Sequence, residues 1–212
     1  MKRILFTVCI IVLFYSCNDD DVQTPETLQS NFYALTVGNS WVYKNYRYDI
    51  NTEIYEDTGV IDSVSIVGTE AINGSTYYKF RTWTTGNEEG IVFCNPNGEQ
   101  FEYLRDSLGY LVRSDGAIKY SNNDYNERLL SESSWGNIYE RLVEGTNALD
   151  VEAGIFDCIN SERYAKDVDG ELLPAVDRFY YSDGIGFIYG TSSFVSQSIP
   201  AVIRRLNSYS VN

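Results

Sequence analysis

The chain has 212 residues, no histidine, and a formal charge of −14 from 16 basic and 30 acidic side chains. Without imidazole there is no Ser-His-Asp or Cys-His catalysis, no histidine-ligated zinc and no imidazole acid/base chemistry. So acidic a surface repels phosphate backbones, which excludes nucleic acid as a partner, while a 43% hydrophobic content is that of a folded chain.

Residues 1–16 join a basic start, Lys2 and Arg3, to an apolar run from Ile4 to Tyr15. That run suits a signal peptide and is too short for a permanent bilayer-spanning helix. Cys17, directly after Phe14-Tyr15-Ser16, resembles the end of a bacterial lipobox, with bulkier residues before it than is usual. The resemblance implies cleavage before Cys17, lipid on its thiol, an acylated new N-terminus and a membrane partner held through that anchor. Residues 17–30 are polar, acidic and interrupted by Pro25. They bury too little apolar surface to offset their ordering entropy and read as a flexible tether. The triplet Asp19-Asp20-Asp21 is similar to export signals of Bacteroidetes-type lipoproteins displayed on the outer-membrane surface; the periplasmic face is the alternative.

Residues 31–212 form the folded domain. Asn73-Gly74, Asn97-Gly98, Asp115-Gly116, Asp169-Gly170 and Asp183-Gly184 each supply the positive φ angles of a two-residue hairpin. Strands are predicted over 41–49, 60–67 running on to the turn at Asn73-Gly74, 76–85, 99–104, 111–113, 117–120, 138–144, 155–164, 178–181 and 201–209. Residues 126–130 are ambiguous between a short helix and a loop. No fixed-period repeat occurs, which argues against a propeller or solenoid. The expectation is an all-β domain: a single antiparallel meander forming a curved sheet, half-barrel or barrel of roughly nine to eleven strands. A two-layer β-sandwich is the alternative, because strand number alone does not separate the two.

Three stretches carry a family resemblance: Tyr33 to Tyr43 (YALTVGNSWVY), Ala153 to Ile159 (AGIFDCI) and Tyr180 to Ile188 (YYSDGIGFI). Together they resemble a group of uncharacterised secreted Bacteroidetes-type lipoproteins with VGN-x-W-x-Y, G-x-F-x-C and Y-Y-x-x-G-x-G segments. The resemblance implies a scaffold similar to the open sheets of lipoprotein-carrier proteins. It implies no reaction and no site residue beyond lipidated Cys17.

Of the four cysteines, Cys94 and Cys158 fall in the folded domain. They form either a disulfide or two separate buried thiols. Asp167-Val168-Asp169-Gly170-Glu171 spaces oxygen ligands alternately but lacks the rest of a calcium loop, so a hairpin turn is the simpler reading and no metal or cofactor is expected. Eighteen tyrosines and three tryptophans leave aromatic surface as the functional lead. Trp41, Trp83 and Trp135 are the candidate ligand-binding residues, since indole is the best stacking surface. The leading expectation is a membrane-anchored, non-catalytic β-domain that binds a glycan, an apolar molecule or an envelope protein. A carboxylate-based glycan hydrolase and a structural subunit of a surface complex are the alternatives.

The anchor is directly testable. Cells fed a labelled fatty acid are expected to label the wild-type chain and not Cys17→Ser, which should leave the membrane fraction. Label persisting in the variant counts against the anchor.

Overall fold

A computed structural model describes residues 31–212; the expected signal peptide, Cys17 and the tether to Ser30 lie outside the described residues. The described chain contains twelve strands and no helix. In order these are β1 (Ser40–Asp49), β2 (Ile54–Ile72), β3 (Ser75–Thr85), β4 (Gly98–Ser107), β5 (Tyr110–Arg113) and β6 (Ile118–Ser121). They continue as β7 (Arg128–Ser133), β8 (Gly136–Val151), β9 (Gly154–Asp167), β10 (Leu172–Ser182), β11 (Gly186–Ser192) and β12 (Val202–Ser210). All belong to one curved, unclosed antiparallel sheet, ordered β6-β5-β4-β3-β2-β1-β12-β11-β10-β9-β8-β7. The single sheet settles the barrel-or-sandwich alternative against the sandwich, with more strands than the nine to eleven expected.

Four of the five Asn-Gly and Asp-Gly pairs sit where hairpins turn: β2–β3, β5–β6, β9–β10 and β10–β11. Asn97-Gly98 does not. β3 ends at Thr85, and residues 86–97 form a loop organised by Asn87, whose Nδ2 donates to Asn95 O and whose Oδ1 accepts from Ile91 N. Four tight hairpins lack the signal: β1–β2 turns through residues 50–53, and the others turn at Leu108-Gly109, Ser134-Trp135 and Glu152-Ala153. At Leu108-Gly109, Leu108 itself takes φ 56° ahead of Gly109 at 89°, with its side chain in solvent. The ambiguous stretch at 126–130 is neither helix nor wholly loop, since Arg128 opens β7.

The chain begins in the middle of the sheet, walks out to β6, crosses to the opposite edge through residues 122–127 and returns to pair β12 with β1. Register shifts at Lys44/Tyr46, Ile66/Gly68 and Val143/Asn147 bend the long strands. The two edges are not hydrogen-bonded to each other, but side chains span the gap. Tyr120 of β6 is fully buried, packs 4.0 Å from the Tyr181 ring of β10 and donates its hydroxyl to Ile159 O of β9. In the crossing segment, Asp124 accepts from Tyr110 and Glu127 binds Tyr164 and Lys166. Residues 32–35 (Phe-Tyr-Ala-Leu) are buried ahead of β1 and join the core cluster. Fully buried Asn39 holds this segment: its Nδ2 donates to Ala34 O, and its Oδ1 accepts from Asn212 N.

Gly86 marks a tight backbone crossing. It has φ +86°, and a Cβ there would lie 2.2 Å from Gly59 O. Gly86→Ala is expected to cost about 2–4 kcal/mol, strain and overlap together, lowering Tm by roughly 5–12 °C. Gly74→Ala, at φ +79° with nothing within 4 Å, should cost about 1 kcal/mol. Equal losses in thermal melts would show that the close approach contributes nothing.

Candidate functional site

Curling the sheet gives alternate residues of each strand a shared concave face. In β3, Phe80 and Thr82 face inward, while Lys79, Arg81 and Trp83 lie on the other face. The inward residues enclose a cavity of about 420 Å³. Its walls carry Trp41 and Tyr43 from β1, Phe80 from β3, Phe179 and Tyr181 from β10, and Phe187 from β11. One end is plugged by Tyr33 and Leu35 of the N-terminal segment. A smaller chamber of about 140 Å³ shares Phe179, Phe187 and Arg204 with the first and is also lined by Phe93 of the 86–97 loop. Phe93 takes φ 69°, a costly conformation for a bulky residue, and its ring packs 4.8 Å from Phe194 of the β11–β12 loop.

Three of the polar tips of the aromatic lining are already used. Trp41 Nε1 donates to Ile185 O at 2.8 Å, Tyr43 Oη to Phe187 O at 3.0 Å, and Tyr33 Oη to Gly109 O at 2.5 Å. Two of these bonds join the Tyr33–Tyr43 stretch to the Tyr180–Ile188 stretch, and Gly184 N donates to Phe32 O just ahead of the first stretch. The motif residues thus act as a clamp at one end of the cavity, with apolar ring surface left facing the lumen.

Four cations face the main cavity, Arg113, Lys119, Arg163 and Arg204, against one carboxylate, Glu102. Arg113 and Lys119 both pair with Glu102. Arg163 binds buried Glu140 through Nε and Nη2, and its guanidinium lies 4.5 Å over Phe179. Arg204 lies 4.3 Å over the Tyr43 ring and 5.8 Å from Phe187, with Nε 3.2 Å from Asp62 Oδ2. That approach is not aligned for a hydrogen bond, so the buried Nε goes without one.

Asp62, 1% exposed, is the most deeply buried carboxylate of the site. Burial alone would push its pKa up. The Arg204 guanidinium and hydrogen bonds from Thr84, Asn95 and Asn45 outweigh that and hold it below the usual carboxylate range. None of this cluster was singled out from sequence; an Asp in a β-branched run and an Arg pair near the C-terminus carry no spacing signal.

The structure does not bring the three candidate tryptophans together. Trp41 is in the cavity wall and 3% exposed; Trp83, 48% exposed, lies on the convex face; Trp135 sits at the β7–β8 turn. Cys94 and Cys158 are both free, which leaves the reading as separate thiols. Burial pushes Cys94 up to about 11 and Cys158 up to about 12. In the 167–171 stretch, Asp167 Oδ1 accepts from the backbone N–H groups of Asp169 and Glu171 and so closes the hairpin.

No protein-family model matches the chain, and no curated protein matches its sequence. Among solved structures, the chain is similar to a protein described as exported, with a YmcC-like fold, from Bacteroides fragilis. The identity is 11%, the match covers 85% of this chain and 99% of that one, and the TM-score is 0.53. A structure described as a lipoprotein, from Parabacteroides distasonis, matches over 85% and 99% at 14% identity with a TM-score of 0.44. The class defined by the first likeness is one of fold: an open, curved antiparallel meander of YmcC-like type.

Asp62 makes the site a pH sensor of folding. Because folding lowers its pKa, the ionised carboxylate stabilises the protein above the unfolded value, ~3.9, and that contribution is lost as pH falls through the depressed folded value. Asp62→Asn is expected to cost about 2–4 kcal/mol at pH 7. In denaturant titrations the gap between the two proteins should hold constant above about pH 5 and shrink below about pH 4. A gap independent of pH down to 2 would mean that the charge of Asp62 does not stabilise the fold.

Proposed function

We propose that the protein is a membrane-anchored, non-catalytic envelope lipoprotein whose concave face binds a small apolar ligand. The observation that carries this reading is the cavity of about 420 Å³ lined by seven aromatic side chains, within the size range of small-molecule sites. The anchor rests on residues 1–17, and an exported structural neighbour agrees with that location. Between a glycan and an apolar molecule, the walls favour the second. A sugar needs many hydrogen-bond partners, and of the aromatic lining only the Tyr181 hydroxyl is left, the indole N–H and the Tyr33 and Tyr43 hydroxyls being spent on backbone carbonyls. A hydrolytic pair of carboxylates has no support here. Among the described residues, Glu102 is the only carboxylate lining the main chamber and Asp62 the only one lining the smaller chamber, and a depressed pKa makes Asp62 a poor general acid.

The neutral fluorescent probe N-phenyl-1-naphthylamine tests the site without invoking charge. Wild-type protein should bind it saturably at one site. Phe80→Ala should weaken binding about 5- to 30-fold, through roughly 1–2 kcal/mol of lost apolar contact. Trp83→Ala, on the opposite face, should change it less than twofold. Absence of saturable binding, or sensitivity to Trp83 and not Phe80 in folded variants, overturns the concave-face site.

A further inference from the structure

Two guanidiniums of the cavity make no side-chain hydrogen bond: Arg113, half exposed to solvent beside Glu102 and Asp115, and Arg204, the more sheltered of the two. Both chambers are lined by it, so its guanidinium stands where they meet. One face of the guanidinium rests on Tyr43, and Asp62 approaches at Nε without a hydrogen bond. Asp62 is meanwhile satisfied by Thr84, Asn95 and Asn45, which together donate to both of its oxygens. The arginine is therefore held in place by charge and ring contact while its Nη donors remain for something else. Arg163 differs, because two of its nitrogens are bonded to Glu140. A buried or half-buried guanidinium with unused donors is costly unless an acceptor arrives, and a planar fork matches an acid group best.

We infer that the ligand is an amphipathic acid: an apolar body of about ten to fifteen non-hydrogen atoms against the aromatic walls, carrying one carboxylate or phosphate monoester that the Arg204 guanidinium binds. The inference rests on the concave-face reading above and adds the headgroup. The aromatic walls supply affinity for the body and no hydrogen bonds for its orientation. Arg204 supplies the orientation, placing the acid at the junction of the chambers. Asp62 holds the guanidinium in place through charge without taking a hydrogen bond from it, and an incoming carboxylate takes the pair from neutral to a net charge of −1.

Matched ten-carbon ligands separate the body from the headgroup. Decanoate, decyl phosphate and decan-1-ol are titrated against the protein carrying N-phenyl-1-naphthylamine at pH 7.5, where both acids are ionised. One or both acids are expected to displace the probe roughly 10- to 100-fold more tightly than the alcohol; whichever is tighter identifies carboxylate or phosphate as the headgroup. The double variant Arg204→Gln/Asp62→Asn removes both charges without stranding either. In it the acid preference should fall below about threefold while decan-1-ol is unaffected. Equal displacement by acids and alcohol in the wild type overturns the acid headgroup and leaves the apolar site standing. A preference retained by the folded double variant overturns the role of Arg204. Failure of all three ligands to displace bound probe overturns the apolar site as well.

Discussion

The structure depends on one short connection. Twelve strands laid flat at about 4.8 Å spacing would put β6 and β7 roughly 50 Å apart. The chain passes between those edges through residues 122–127 alone, a stretch that reaches about 25 Å when fully extended. The sheet therefore has to curl until its edges approach, whatever its side chains prefer. Bulges in the long strands permit the bend, and Tyr120 stabilises it by crossing from the β6 edge to the carbonyl of Ile159. Edge strands of four and six residues also leave little unpaired backbone exposed to other chains.

A hollow follows from the strand number. About eight strands make a cylinder that side chains can fill, and twelve enclose more space than a single layer of inward residues occupies. The chain fills part of the surplus with Phe32 to Leu35, folded back against Gly184 and clamped by Asn39. The remainder stays open as the aromatic cavity. The same tyrosines and tryptophan that would form an ordinary core elsewhere form a wall here, because no second sheet covers them. The indole N–H of Trp41 and the hydroxyls of Tyr33 and Tyr43 are bonded to backbone carbonyls, so much of the lumen is lined by ring surface.

Much of this was legible in the residues. The Asn-Gly and Asp-Gly pairs marked four hairpins because their φ requirement is local, and the β-branched and aromatic runs between them located most strands. Leu108-Gly109 escaped because the glycine holds only the second positive φ and leucine accepts the first. β7 escaped because Arg-Leu-Leu-Ser-Glu-Ser shows no alternation that a half-exposed edge strand must display. The aromatic content implied ring-lined surface, yet composition could not say which rings share it. Trp83 and Phe80 are three residues apart on one strand and face opposite ways, and only the register against β2 and β4 decides which side is inside. Asp62 and Arg204, 142 positions apart, meet because β12 returns to the centre of the sheet beside β1, a long-range pairing that no local pattern announces.

Charge is distributed in a way the net value of −14 conceals. Acidic residues dominate the chain as a whole, while the cavity wall holds four cations and one carboxylate. With a screening length of about 8 Å at physiological salt, exposed charges beyond that distance contribute little inside the hollow, and the groups within it set the local potential. Each of those cations is paired, so the wall is not a general anion trap. What distinguishes its members is whether the partner consumes the donors: Glu140 accepts from Arg163, whereas Asp62 takes its hydrogen bonds from neutral groups and leaves Arg204 only electrostatic attraction. An acidic exterior discourages anionic surfaces from settling on the domain as a whole. On the proposed reading, the Arg204 guanidinium where the two chambers meet would admit an acid only with a body that fits, so shape would select the ligand before charge.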